Sequence, residues 1–159
     1  MMALINVPNG LQEIEALFGR LPEPDASRRS EWRSDNLRSV KIPWQGGIPY
    51  GVDRSFSLQV HYKLVPVFKG LLRDLYTSGY YTLIKDHGGT YNHREKRSCE
   101  EMSTHSWGIA WDINVSDNKY GQIPAMPALL VKMFEKHGFV WLGWKHPYDG
   151  MHIQFCSGY

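Results

Sequence analysis

The stretch S-T-H-S-W-G-I-A-W-D-I-N, residues 103–114, limits the fold more than any other part of the chain. It reads as an apolar strand, yet it carries His105 and Asp112. Desolvating a carboxylate is expensive, so Asp112 needs a basic side chain, a hydrogen-bond network or a metal beside it. On one straight strand the two residues would lie about 23 Å apart and, having opposite parity, would face opposite sides. A shared site therefore demands a turn between them. Gly108 is where a turn or bulge is least costly. His105 then belongs to an entry loop and Asp112 to the strand proper.

A chain of 159 residues fits one domain, and its 42% hydrophobic content can supply a core. We expect a single domain over 1–159, with an N-terminal helix and a long irregular segment in 1–54 and a core carrying the site in 55–159. Eighteen basic against sixteen acidic residues give a net charge of +2, too balanced to indicate nucleic acid. Two cysteines, Cys99 and Cys156, make no disulfide framework and read as free thiols. The first residues lack the basic and apolar regions of a signal peptide, and no apolar run approaches the ~20 residues that span a bilayer. The expectation is a protein made in the cytoplasm, with no membrane insertion.

Spacing predicts a short helix over N-G-L-Q-E-I-E-A-L-F-G, with Asn9 as N-cap and Gly19 as its stop. Residues 20–57 carry few periodic signals beyond a short strand at S-V-K-I, and read as a functional wall or a mobile flap. The strongest helix has the stripe Leu64, Val67, Phe68, Leu71, Leu72, Leu75 and Tyr76, with Pro66 in its first turn. Y-Y-T-L-I-K-D, S-W-G-I-A-W-D-I-N-V, F-V-W-L-G-W and M-H-I-Q-F read as strands, and P-A-L-L-V-K-M-F-E-K-H-G as a helix with Pro127 in its first position. The fold class is α+β, helices packed on a small, mostly antiparallel sheet.

His152 arrives from the last strand, where it shares a face with Gln154. His105, Asp112 and His152 make a suitable zinc triad that leaves the fourth position to water, as catalytic rather than structural sites do. Asp149, three residues before His152, can face the same pocket as a proton acceptor without being a ligand. Cys156 shares His152's face but lies about 13 Å along the strand, too far to bind the same ion. His87, His93 and His137 read as ordinary. Trp144 and His146, in G-W-K-H-P-Y-D-G, are candidates for lining the cleft and touching substrate.

S-T-H-S-W-G-I-A-W-D resembles the Ser-x-His-x-x-Gly-x-Ala-x-Asp motif of the VanY-like D-alanyl-D-alanine carboxypeptidase and L-alanyl-D-glutamate endopeptidase family of zinc metallopeptidases. D-G-M-H resembles the family's closing acid-x-x-His motif, and G-G-T-Y-N-H-R-E-K-R-S its phage-type arginine loop. The resemblance runs from about residue 55 to 155 and extends to the phage endolysin branch. It implies a hedgehog/D-Ala-D-Ala peptidase-like fold, Zn2+ held by His105, Asp112 and His152, and Asp149 as catalytic base. It further implies Arg94 as the functional arginine with Arg97 as its rival, and Ser103 as a substrate or supporting contact. The implied activity is peptidoglycan hydrolysis at a stem peptide, as L-Ala-D-Glu endopeptidase or D-Ala-D-Ala carboxypeptidase. The implied setting is a phage or prophage lysis enzyme that reaches the cell wall after release by a separate permeabilising protein. The competing expectation is a non-catalytic zinc-containing binding or virion structural module of the same fold.

Overall fold

The stripe of residues 64–76 forms α3 (Val65–Thr77), entered through a 3-10 turn at Tyr62–Leu64, with Pro66 in the first turn as expected. Phe68, Leu71, Leu72 and Leu75 are buried along it. The computed structural model describes residues 5–22, 25–97 and 99–159. Helix α1 (Gly10–Phe18) buries Ile14 and Phe18; Asn9 is at its N-cap, but its side chain makes no capping bond, and its N–H donates to Glu13 Oε2 at 2.8 Å. Helix α4 (Ala128–Lys136) buries Leu130 and Phe134, with Pro127 at its N-cap rather than its first helical position.

The segment 20–57 is not irregular. It contains α2 (Ala26–Asn36), β1 (Leu37–Lys41), β2 (Ile48–Tyr50) and β3 (Asp53–Ser55). Helix α2 buries no residue, so it has no apolar stripe for a sequence to display. Its start is fixed instead by Asp25, whose Oδ1 accepts from the Ser27 N–H at 2.8 Å. Glu23 and Pro24 lie outside the described residues. β1 pairs antiparallel with β4 (Ser57–His61), and β2 with β3, as two small ladders.

The third sheet has four antiparallel strands in the order β5 (His87–Gly89), β6 (Ala110–Ile113), β8 (His152–Gln154), β7 (Val140–Trp141). The architecture is α+β with small antiparallel sheets, as the pattern predicts. The strand expected at Y-Y-T-L-I-K-D is a 3-10 turn (Tyr80–Leu83). Gly79, at φ 78°, reverses the chain, and both the N–H and Oγ1 of Thr82 bond its carbonyl, which delays the strand to His87. The strand expected at F-V-W-L-G-W ends at Trp141, whose indole lies over Gly143 and donates from Nε1 to the Gly150 carbonyl at 2.8 Å.

Period-two alternation divides the sheet's faces. Trp111 and Ile113 of β6 and Ile153 of β8 join the core, where Phe139 sits 5.3–5.6 Å, centroid to centroid, from Phe68, Phe134 and Phe155. The other face presents Ala110, Asp112, His152 and Gln154, with Asp112 opposite His152 and Ala110 opposite Gln154.

Candidate metal centre and adjoining cavity

His105 reaches that face from a 3-10 turn, Thr104–Trp107, whose start is capped by Ser103 Oγ accepting from the His105 N–H at 3.4 Å. Gly108 follows at φ 68°, in the left-handed region that glycine enters without penalty, and redirects the chain into β6. The turn expected between His105 and Asp112 is thus present at the expected residue. His152 comes from β8, directly across the ladder from Asp112.

The three side chains meet. Asp112 Oδ1 lies 3.1 Å from His105 Nε2 and 3.1 Å from His152 Nδ1, and the two ring nitrogens are 3.2 Å apart. All three residues are buried. Among the described residues this is the one group of three or more His, Cys, Asp or Glu gathered closely enough to hold a metal.

The outer faces of the rings decide which atoms point inward. His105 Nδ1 lies 3.1 Å from the Thr90 carbonyl, which can only accept, so Nδ1 carries the hydrogen and Nε2 presents a lone pair. His152 Nε2 lies 2.9 Å from Gln154 Oε1, leaving Nδ1 as its inward atom. Two imidazole lone pairs and a carboxylate oxygen thus converge with no hydrogen among them. Such a set is repulsive unless a cation or a shared proton sits between. A tetrahedral zinc with bonds of about 2.0–2.1 Å holds its ligands roughly 3.3–3.4 Å apart, close to the separations seen here. The donor set therefore fits zinc. Burial alone would raise the Asp112 pKa, but in the metal-free trio a proton shared from His105 or His152, and the charge it brings, outweighs burial and holds Asp112 well below the usual carboxylate range.

Asp149 stands next to His152 because D-G-M-H closes a turn in which the His152 N–H donates to the Asp149 carbonyl at 3.1 Å. Gly150 is required there, since a Cβ would come within 2.9 Å of Pro124. Asp149 Oδ1 is buried and has no hydrogen-bond partner among the described residues. Burial pushes its pKa up. Asp112 adds to that rise, while His152, Arg97 and His105 oppose it.

A cavity of about 710 Å³ reaches the trio at His152, while His105 and Asp112 are not among its lining residues. His152, Asp149, Thr104 and Gln154 line its inner wall, and Arg94, Arg97, Ser103 and Trp144 also face it. His146, exposed between Lys145 and Pro147, is not among its lining residues. Nor is any described residue of 20–57, so the described part of that segment forms no wall of this cavity. The Arg94 guanidinium donates to the Glu95 carbonyl at 3.1 Å, whereas Arg97 lies 5.5 Å from the Tyr120 ring centroid.

His87 is buried among aromatics, accepting from Trp111 Nε1 at 3.1 Å, and His137 bonds Asp74. Both cysteines are free. Cys99 is exposed, and burial pushes the Cys156 thiol up to about 12. Sequence reasoning did not single out Thr90, Thr104 or the buried His61. Gln154 was visible only as a residue sharing His152's face. Thr90 acts through its main-chain carbonyl, which leaves no trace in residue identity.

A family profile described as D-alanyl-D-alanine carboxypeptidase matches residues 96–155. That span contains His105, Asp112, Asp149, His152, Ser103 and Arg97, and begins just beyond Arg94. No curated protein matches the chain.

Proposed function

We propose that this chain is a zinc-dependent peptidase that cleaves peptidoglycan stem peptides. The observation that carries the reading is the convergence of three inward lone pairs next to a cavity that His152 and Asp149 line, with an Asp149 oxygen that is buried and has no partner among the described residues. The family profile over residues 96–155 supports the substrate class.

His105, Asp112 and His152 would hold the ion. When bound, zinc supplies Lewis acidity toward a peptide carbonyl and lowers the pKa of a neighbouring water. Asp149 accepts a proton from the water that attacks the amide carbon, then delivers it to the departing amine nitrogen. Its raised pKa suits this double duty, because the protonated form is held long enough to be passed on. One of the two arginines stabilises charge developing on the carbonyl oxygen or holds a substrate carboxylate. We take Arg97 first, because its charge acts on Asp149 while the Arg94 guanidinium is engaged by Glu95. Trp144, exposed on the cavity rim, offers an apolar face to the peptide, and Ser103 a hydroxyl. His146 would contact only a substrate that extends past Pro147.

The bond cut is L-Ala-D-Glu or D-Ala-D-Ala. The proposed setting is a phage or prophage lysis enzyme, admitted to the wall by a separate permeabilising protein. It rests on the likeness of the arginine loop and D-G-M-H to phage-type sequences. Among the described residues no helix is long and apolar enough to cross a membrane. The test is mass spectrometry of defined muropeptides after incubation with zinc-loaded protein, with and without chelator. One stem-peptide bond should be cut, chelator should abolish the cut, and zinc should restore it. Intact stem peptides with fully loaded protein would overturn the reading in favour of a non-catalytic zinc-containing module.

A further inference from the structure

We propose that Gln154 is the positioning residue that fixes the tautomer and ring orientation of His152, and with them the lone pair this histidine offers to a metal. The inference rests on reading the trio as a metal site, and deepens it.

The orientation of the Gln154 carboxamide is determined by its other end. Its Nε2 lies 3.4 Å from the Cys156 main-chain oxygen and 3.3 Å from that of Tyr159. Both can only accept, so the amide nitrogen belongs on that side and Oε1 faces His152. A flipped amide would set its oxygen against two oxygens. Oε1 in turn can only accept, and it lies 2.9 Å from His152 Nε2, which must therefore carry the hydrogen. Thr104 Oγ1, 3.1 Å from both groups, donates its single hydrogen to the same Oε1. The one remaining ring atom, Nδ1, then points its lone pair at Asp112 and His105.

Sequence explains why glutamine can do this. Gln154 sits two residues beyond His152 on β8, hence on the same face, and opposite Ala110, whose side chain is only a methyl group. The side chain is buried, with little of its surface open to the cavity. His105 is oriented by a backbone carbonyl, which no substitution removes. His152 is oriented by a side chain, which makes the device testable. Hydrogen-bond partners of this kind tune ligand basicity and metal affinity by about 10- to 100-fold.

The experiment uses the full chain, metal-free, with nitrogen-detected NMR of the imidazoles at alkaline pH, followed by zinc titration against a competing chelator. In the wild type, His152 should show the Nε2–H tautomer alone. Gln154→Met should mix the tautomers and weaken zinc binding by about 10- to 100-fold. Gln154→Glu, which keeps an acceptor toward Nε2 but sets its other oxygen against those of Cys156 and Tyr159, should retain the tautomer and recover only part of the affinity. Thr104→Val, which leaves Gln154 in place, should retain both. Thermal unfolding of the metal-free variants checks the fold, and where Gln154→Met does not fold, an Nδ1–H tautomer in the wild type still overturns the proposal and Gln154→Glu still tests it. An Nδ1–H tautomer in the wild type, or a folded Gln154→Met with wild-type tautomer and zinc affinity, would overturn the proposal. Neither measurement uses a peptide substrate. A protein with the expected tautomer and affinities that cuts no stem peptide would sink the peptidase reading and leave this one standing.

Discussion

The His61 N–H donates to the Gly108 carbonyl at 3.0 Å, and a Cβ at Gly108 would stand 3.1 Å from that same nitrogen. The turn that delivers His105 is therefore pressed against the end of the β1–β4 ladder, with Leu37 Cδ2 only 2.8 Å from the missing Cβ. Residues far upstream of the motif thus set the position of a proposed metal ligand.

Gly108→Ala should be costly on two grounds. Alanine in the left-handed region costs about 1–2 kcal/mol, and the backbone contact with His61 has no flexible side chain to yield. A total loss of about 2–4 kcal/mol is expected in urea unfolding, together with weaker zinc binding as the His105 turn shifts. An unchanged unfolding midpoint would contradict the close packing of this turn.

Acid should destabilise the metal-free protein through His61 and His87. Burial, with the Lys63 and Arg38 charges adding to it against the pull of the Phe18 carbonyl, lowers His61 to about 4. Burial, opposed by Asp86, does the same to His87, also to about 4. Each is neutral in the fold but would take up a proton near its ordinary pKa of about 6.5 once unfolded. The unfolded chain therefore binds more protons between those limits. The stability each histidine contributes is complete above about pH 6.5 and is lost as pH falls toward about 4. Between pH 7 and 5 each should contribute a loss of about 2 kcal/mol. The check is urea unfolding at both pH values for wild type and His61→Gln, read as a difference so that other groups cancel. An equal pH slope in the two proteins would show that His61 does not titrate in this way.

Asp149→Asn removes a proton acceptor without touching the inward trio. Zinc stoichiometry should stay at one, while turnover on stem peptide falls by about 10²- to 10⁴-fold. A variant that keeps wild-type turnover would remove Asp149 from the chemistry.

The two arginines should separate in kinetics. Arg97→Ala is expected to lower kcat/KM on stem peptide by about 10²-fold or more, on the scale of losing one charge-stabilising donor. Arg94→Ala should change it far less, since that guanidinium is held by the Glu95 carbonyl. The reverse ranking would assign the role to Arg94.

Much of the site was legible in the chain because its constraints are local. The parity conflict between His105 and Asp112 demanded a turn, and Gly108 supplied it at φ 68°. D-G-M-H placed Asp149 beside His152 through a four-residue turn whose bond the structure contains. The illegible parts have physical reasons. Helix α2 buries no residue fully, with only Trp32 packed partly against the core, and so has no apolar stripe to betray it. The Tyr80–Leu83 segment carries β-prone residues, but the reversal at Gly79 overrides their propensity. Thr90 and Thr104 serve the histidines across 15 and 48 residues of chain, through contacts that only tertiary structure creates.

Anomalous scattering at the zinc edge from a zinc-soaked crystal tests the convergence of the trio most directly. The expected result is one ion bonded to His105 Nε2, Asp112 Oδ1 and His152 Nδ1 at about 2.0–2.2 Å, with its fourth position free of protein atoms. No peak among these three atoms, or an ion whose every position is filled by protein, would contradict it.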